Sequence, residues 1–145
     1  MGMESLGRGF NWQYLCDGEY VSMKDCGTVA FLCYLTGAAG DTYTLTEATT
    51  AAGAGAQNLA TVTRYFTSTG DTSDGWTLHT QAAAAAVTTA ASADENCCVF
   101  EVRPEELSDG FKYLAVTSTS TGIVQVLKTD LTVQRTPANL AVMGV

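Results

Sequence analysis

One histidine, five cysteines and fifteen acidic residues are the side chains in this 145-residue sequence whose chemistry could go beyond packing. Nucleophilic catalysis needs a base beside the nucleophile. His79 lies in Trp76-Thr77-Leu78-His79-Thr80, an alternating stretch, and no GxSxG elbow occurs anywhere in the sequence. It reads as a strand-face histidine. Cys16, Cys26, Cys33, Cys97 and Cys98 form no CxxC spacing. Adjacent Cys97 and Cys98 point to opposite faces of a strand, so they cannot both serve one metal or one active site. The cysteines read mostly as small buried hydrophobes. Three acidic pairs, Asp71 with Asp74, Asp94 with Glu95 and Glu105 with Glu106, could hold Ca²⁺ or exchange protons. None has EF-hand spacing, and all sit in turn-like stretches where solvated carboxylates are ordinary. Gly53 and Gly55 belong to no GxGxxG or Walker pattern. The expectation is a non-enzymatic chain with no cofactor and no metal site. A small hydrolase using Asp71, Asp74 or His79 is the competing idea, and the spacing supplies it with no nucleophile–base pair.

The elements that carry these residues are extended. Twenty-two threonines and twenty alanines stand beside only seven Lys and Arg. Threonine is β-branched and suits a pleated surface, whereas long amphipathic helices need charged outer faces. The net charge is −8 and the seven cations are scattered singly, so there is no basic footprint for nucleic acid. No apolar run approaches the roughly 20 residues of a membrane span, and residues 1–10 lack a signal-peptide core. Synthesis in a cytoplasm is expected, with no membrane partner.

Thr28 to Thr36 is apolar on both alternating faces, which suits a central strand covered on both sides. Thr42-Tyr43-Thr44-Leu45-Thr46 alternates, with Tyr43 and Leu45 inward. Ala51 to Ala56 carries too much glycine for a helix and reads as a long loop. Further strands are expected at 61–66, 76–80, 97–103, 111–117, 123–128 and 131–135, with Trp76 and Leu78 facing the core. Ala82 to Ala86 is short and uncapped and reads as turn or short strand. Pro104-Glu105-Glu106-Leu107 can make one helical turn. Short, evenly spaced strands without a crossing helix predict an all-β fold, an antiparallel β-sandwich, jelly-roll-like, of about eight strands.

Three regions follow: an extended N-terminal arm (1–18), the β-sandwich domain (19–136) and a C-terminal tail (137–145). The arm lacks a sustained period yet carries Phe10, Trp12 and Tyr14, and the uncharged tail carries Leu140, Val142 and Met143. These six residues are the expected partner contacts, because apolar side chains on irregular termini need a surface to cover; for the aromatic arm that surface is either the domain's own sheet edge or a neighbouring subunit.

Two stretches resemble small tailed-phage virion proteins of the head decoration, or cement, type. One is Gly40-Asp41-Thr42-Tyr43-Thr44-Leu45-Thr46-Glu47-Ala48-Thr49 continuing through Ala51-Ala52-Gly53-Ala54-Gly55-Ala56, similar to a strand followed by an xATxAxGxGA loop. The other is Val99-Phe100-Glu101-Val102 with Glu106-Leu107 and Gly110-Phe111-Lys112-Tyr113-Leu114, similar to a strand, a short turn and a second strand. The likeness runs from Thr28 to Val126 and leaves out the arm and tail. It implies a β-sandwich on the outer capsid surface of a virion, the major capsid protein as partner, and a homo-oligomer, dimer or trimer, on a symmetric shell. The alternatives are another virion part, such as a head fibre, tail or baseplate component, or a carbohydrate-binding β-sandwich module using Trp12 or Trp76.

Overall fold

Alternating valine, threonine and aromatic residues do form strands throughout the chain. The computed structural model describes residues 5–15, 18–35, 40–91 and 95–144. Eleven strands occur among them: β1 (Phe10–Leu15), β2 (Val21–Ser22), β3 (Cys26–Tyr34), β4 (Thr42–Ala48), β5 (Gln57–Asn58), β6 (Val62–Ser68), β7 (Thr77–Ala84), β8 (Ala86–Thr88), β9 (Cys97–Val102), β10 (Tyr113–Ser118) and β11 (Ile123–Leu131). They make two antiparallel sheets packed together as a β-sandwich. The first has six strands in the order β1-β11-β3-β9-β6-β7, and the second has five, β2-β10-β4-β5 with β8 also pairing β4. The expected helical turn is a 3-10 turn at Pro104–Glu106.

The core lies between the sheets. Val29, Phe31 and Cys33 of β3, Cys98, Phe100 and Val102 of β9, and Val124 and Val126 of β11 face Tyr43 and Leu45 of β4 and Leu114 and Val116 of β10. Phe31 and Phe100 are register partners with ring centroids 5.6 Å apart. Cys97 and Cys98 point to opposite faces as expected, Cys98 buried and Cys97 only partly so. Cys16 lies outside the described residues, as does part of the turn at 36–39.

Several expectations are corrected. The count exceeds eight because β2, β5 and β8 are too short to leave a periodic signal. The N-terminal arm takes the first of its two expected surfaces, the domain's own sheet edge, and does so as a strand where no strand period was read: Phe10–Leu15 pairs with β11 from Phe10↔Thr129 to Leu15↔Val124. Its polarity is inverted relative to an ordinary strand, since Asn11, Gln13 and Leu15 share the inner side with Val124 and Val126 while Trp12 and Tyr14 face out. The backbone ladder, rather than burial, supplies its order. The stretch at 131–135 is not a separate strand: β11 continues to Leu131 and then ends. Trp76 and Leu78 are exposed at 57% and 51%, so they face away from the core.

Candidate functional site: the outer face of the six-stranded sheet

Residues opposite one another in an antiparallel ladder point to the same face. One row can therefore be followed across all six strands of the first sheet: Tyr14↔Gln125, Gln125↔Leu32, Leu32↔Val99, Val99↔Phe66 and Phe66↔Leu78. Phe31, Cys98 and Thr67, the neighbours of this row along their strands, are buried, so the row lies on the side away from the second sheet. Parallel rows flank it, with Trp12↔Leu127↔Ala30 on one side and Ile123↔Tyr34↔Cys97 on the other. Trp12 is 48% and Tyr14 50% exposed, and Tyr34, Phe66 and Ile123 are also exposed. Trp12 Nε1 donates to Gln125 Oε1 at 3.4 Å, steadying the indole over β11.

This overturns the reading of β3 as covered on both faces. Of its second apolar set, Ala30 is buried by neighbouring side chains, Leu32 is half-buried and Tyr34 is exposed, and no second sheet packs on this face among the described residues. The signal was in the sequence, because a two-sheet sandwich can bury only one face of each strand. With about 150–250 Å² of surface per aromatic side chain, the exposed fractions of Trp12, Tyr14, Tyr34, Phe66 and Trp76 amount to on the order of 500 Å². Spread across the six strands, this equals the largest apolar patch of an ordinary monomer, a feature that often coincides with a functional surface.

The β6–β9 ladder stops at Phe66↔Val99. Beyond it a cleft of about 470 Å³ opens on this same face, lined by Thr63, Arg64, Phe66, Val99, Glu101 and Arg103. Thr61 Oγ1 donates to Glu106 Oε1 at 2.8 Å across its far end. Opposite charges on its walls leave it without a marked preference for anions or cations.

His79 faces the inner side of β7, stacked on Tyr65 at 4.9 Å. Thr67 Oγ1 lies 2.7 Å and Glu95 Oε1 3.2 Å from the same ring nitrogen, Nε2. A hydroxyl–imidazole–carboxylate relay needs the acid on the opposite nitrogen, so this cluster ties β6, β7 and the segment before β9 together without activating Thr67. Glu95 Oε2 additionally accepts the Ala90 N–H at 2.6 Å. The carboxyl of Asp71 is held below its usual range by the Ser73 N–H and hydroxyl, and that of Asp74 by the Thr69 N–H. Both acids are occupied in shaping their own turn. Burial pushes the Cys98 thiol up to about 12 and the Cys33 thiol well above its ordinary value. These facing thiols stay protonated and unreactive at neutral pH. Among the described residues no group of three or more His, Cys, Asp or Glu side chains converges on a metal position. Asp94 lies outside them.

Of the six expected contacts, Trp12 and Tyr14 come together on the outer face, with Phe10 half-buried at the start of their strand. The tail residues lie elsewhere. Val142 is 69% exposed and lines a cleft with Tyr14 at the sheet edge, and Leu140 is half-buried. Met143 is corrected: it is 5% exposed within the core, and its carbonyl accepts the Ser22 N–H at 2.6 Å. Leu32, Tyr34, Phe66, Trp76, Leu78, Val99, Ile123 and Leu127 complete the face. No family model, curated protein or solved structure matches the chain.

Proposed function

We propose that the chain is a non-enzymatic structural subunit that docks on a larger protein assembly through the outer face of its six-stranded sheet, specifically as a phage head decoration protein on the major capsid protein. The apolar row from Tyr14 to Leu78 carries the docking part of this reading. The capsid part rests on the two stretches that resemble virion proteins, which fold as β4 with its loop and as β9, the 3-10 turn and β10. A flat apolar sheet face buries area on a partner without needing a deep pocket. Repeated copies on a shell make individually modest contacts multivalent, and binding only to the assembled form stabilises that form.

Co-sedimentation with expanded, decoration-free phage heads tests it. The chain is expected to pellet with heads, and the Tyr14→Ser, Tyr34→Ser double variant to lose roughly tenfold or more in affinity while its melting temperature stays near that of the parent. Full binding by the double variant would move the docking surface elsewhere, and no binding by the parent would end the capsid reading.

A second reading has one specific observation in its favour. Trp12, Tyr14 and Trp76 are exposed aromatic rings, and such rings stack on sugar faces. Under a carbohydrate-binding function a glycan array would give hits that Trp12→Ala and Trp76→Ala abolish.

A further inference from the structure

The four edges of the sandwich are not equally protected. β1 is covered at its start by its own preceding turn, where Ser5 O accepts the Phe10 N–H at 3.1 Å and Phe10 O accepts the Gly7 N–H at 2.7 Å, and the rest of it, which pairs only β11 among the described residues, is bracketed in sequence by Arg8, Asp17 and Glu19. β2 is tied by the Met143 carbonyl, and the edge of β4 opposite β10 is occupied by β5 and β8. The last edge, β7, pairs only with β6 among the described residues. Proteins blunt such edges with lysine, proline or inward charges. β7 has none of these, and from Gly75 to Ala91 the sequence contains no Lys, Arg, Asp, Glu or Pro.

We infer that two copies of this chain associate by antiparallel pairing of their β7 edges about a two-fold axis at Leu78, joining their six-stranded sheets into one. Charge selects a second copy at this edge. A net charge of −8 penalises self-association through acidic surface, whereas this uncharged segment can meet itself with no like charges opposed. Geometry selects the register. The β6–β7 ladder is regular from Thr67↔Thr77 to Arg64↔Thr80 and slips between Arg64 and Val62, so the regular edge runs from Thr77 to Thr80, with Trp76 immediately before it. Centring the axis on Leu78 covers this edge and the residue before it, placing Leu78 opposite Leu78, Thr77 opposite His79 and Trp76 opposite Thr80. Residues of equal parity then meet, so both copies keep their apolar faces on the same side and the row ending at Leu78 continues into the row of the second copy.

This inference stands apart from the capsid reading, since a chain that fails to self-associate could still bind heads, and a dimer could form without them. Sedimentation velocity over a dilution series is expected to show a dimer that dissociates on dilution. Leu78→Lys, which opposes two cations at the axis, is expected to weaken self-association roughly tenfold or more with circular dichroism and melting temperature unchanged. In oxidised glutathione, Leu78→Cys is expected to form an intermolecular disulfide, two thiols being oxidised as one glutathione disulfide is reduced, whereas Thr63→Cys is not. A parent chain that is monomeric throughout, an oligomer unaffected by Leu78→Lys, or equal cross-linking of both cysteine variants would overturn the proposal.

Discussion

Glu47 is fully buried on the inner side of β4, its carboxylate held by hydrogen bonds and by no ion pair among the described residues. Gln57 Nε2 donates to one carboxylate oxygen at 2.7 Å and the Ser108 N–H to the other at 2.9 Å. Burial pushes its pKa up, but the hydrogen bonds from Ser108 and Gln57 outweigh that, and the net shift is below the ordinary value of 4.5. The folded state therefore binds this proton less readily than the unfolded chain. Its stabilising contribution is fully present above the ordinary glutamate range and is lost as pH falls through the lowered folded value. Glu47→Gln leaves two donors facing a single acceptor and is expected to cost about 1–3 kcal/mol at neutral pH in urea denaturation. The gap between variant and parent should narrow on acidification; a gap independent of pH would show that the carboxylate is not the source. The alternation of Tyr43 and Leu45 carried the phase that turns Glu47 inward, but a carboxylate reads as surface unless its hydrogen-bond donors are known. Gln57 and Ser108 are distant in sequence, so the partners were not legible.

At the scale of elements, the β10–β11 connection depends on one side chain from another strand's approach. Asp41, buried just before β4, accepts from the Thr119 and Ser120 N–H groups at 3.1 Å each, from Thr119 Oγ1 at 2.9 Å and from the Thr42 N–H at 2.7 Å, with Ser118 Oγ as a further donor. Asp41→Ala removes the acceptor these donors share, while the Thr119, Ser120 and Thr42 N–H groups keep second acceptors in Thr42 O, Ser118 Oγ and Thr119 Oγ1, and is expected to destabilise the fold by about 1–3 kcal/mol, measured by thermal or chemical unfolding, with Asp41→Asn intermediate. A loss near zero would mean that water replaces the carboxylate. Strands with outward threonines and inward apolar residues, such as β4, were readable from alternation alone. β1 was not, because its aromatic residues point outward and its ordering comes from β11, more than a hundred residues along the chain. Trp76 and Leu78 misled for a related reason: alternation reports that two residues share a face, not which face is buried.

For the whole molecule, composition and period were enough for an all-β sandwich, while strand order and the bare outer face needed tertiary contacts. Sequence placed partner contacts on the termini, the segments that looked irregular. The folded chain instead gathers Trp12 and Tyr14 with residues from β3, β6, β7, β9 and β11, and takes Met143 into the core. The early end of the β6–β9 ladder has a mechanical consequence as well. Among the described residues the backbone ladder from the β6–β7 hairpin to β9 spans only Phe66, Thr67 and Ser68, supplemented by the His79–Glu95 and Asn96–Thr69 contacts, whereas β3 is laced to β11 almost from end to end. The hairpin is therefore expected to open before the rest of the sandwich, at a cost that includes exposing Val62 and Tyr65 but stays below that of global unfolding. In the single chain, amide hydrogens of Val62 to Tyr65 and of β7 should exchange with solvent deuterium well before those of β3. Uniform protection across both would mean that the hairpin and the sandwich open only as one.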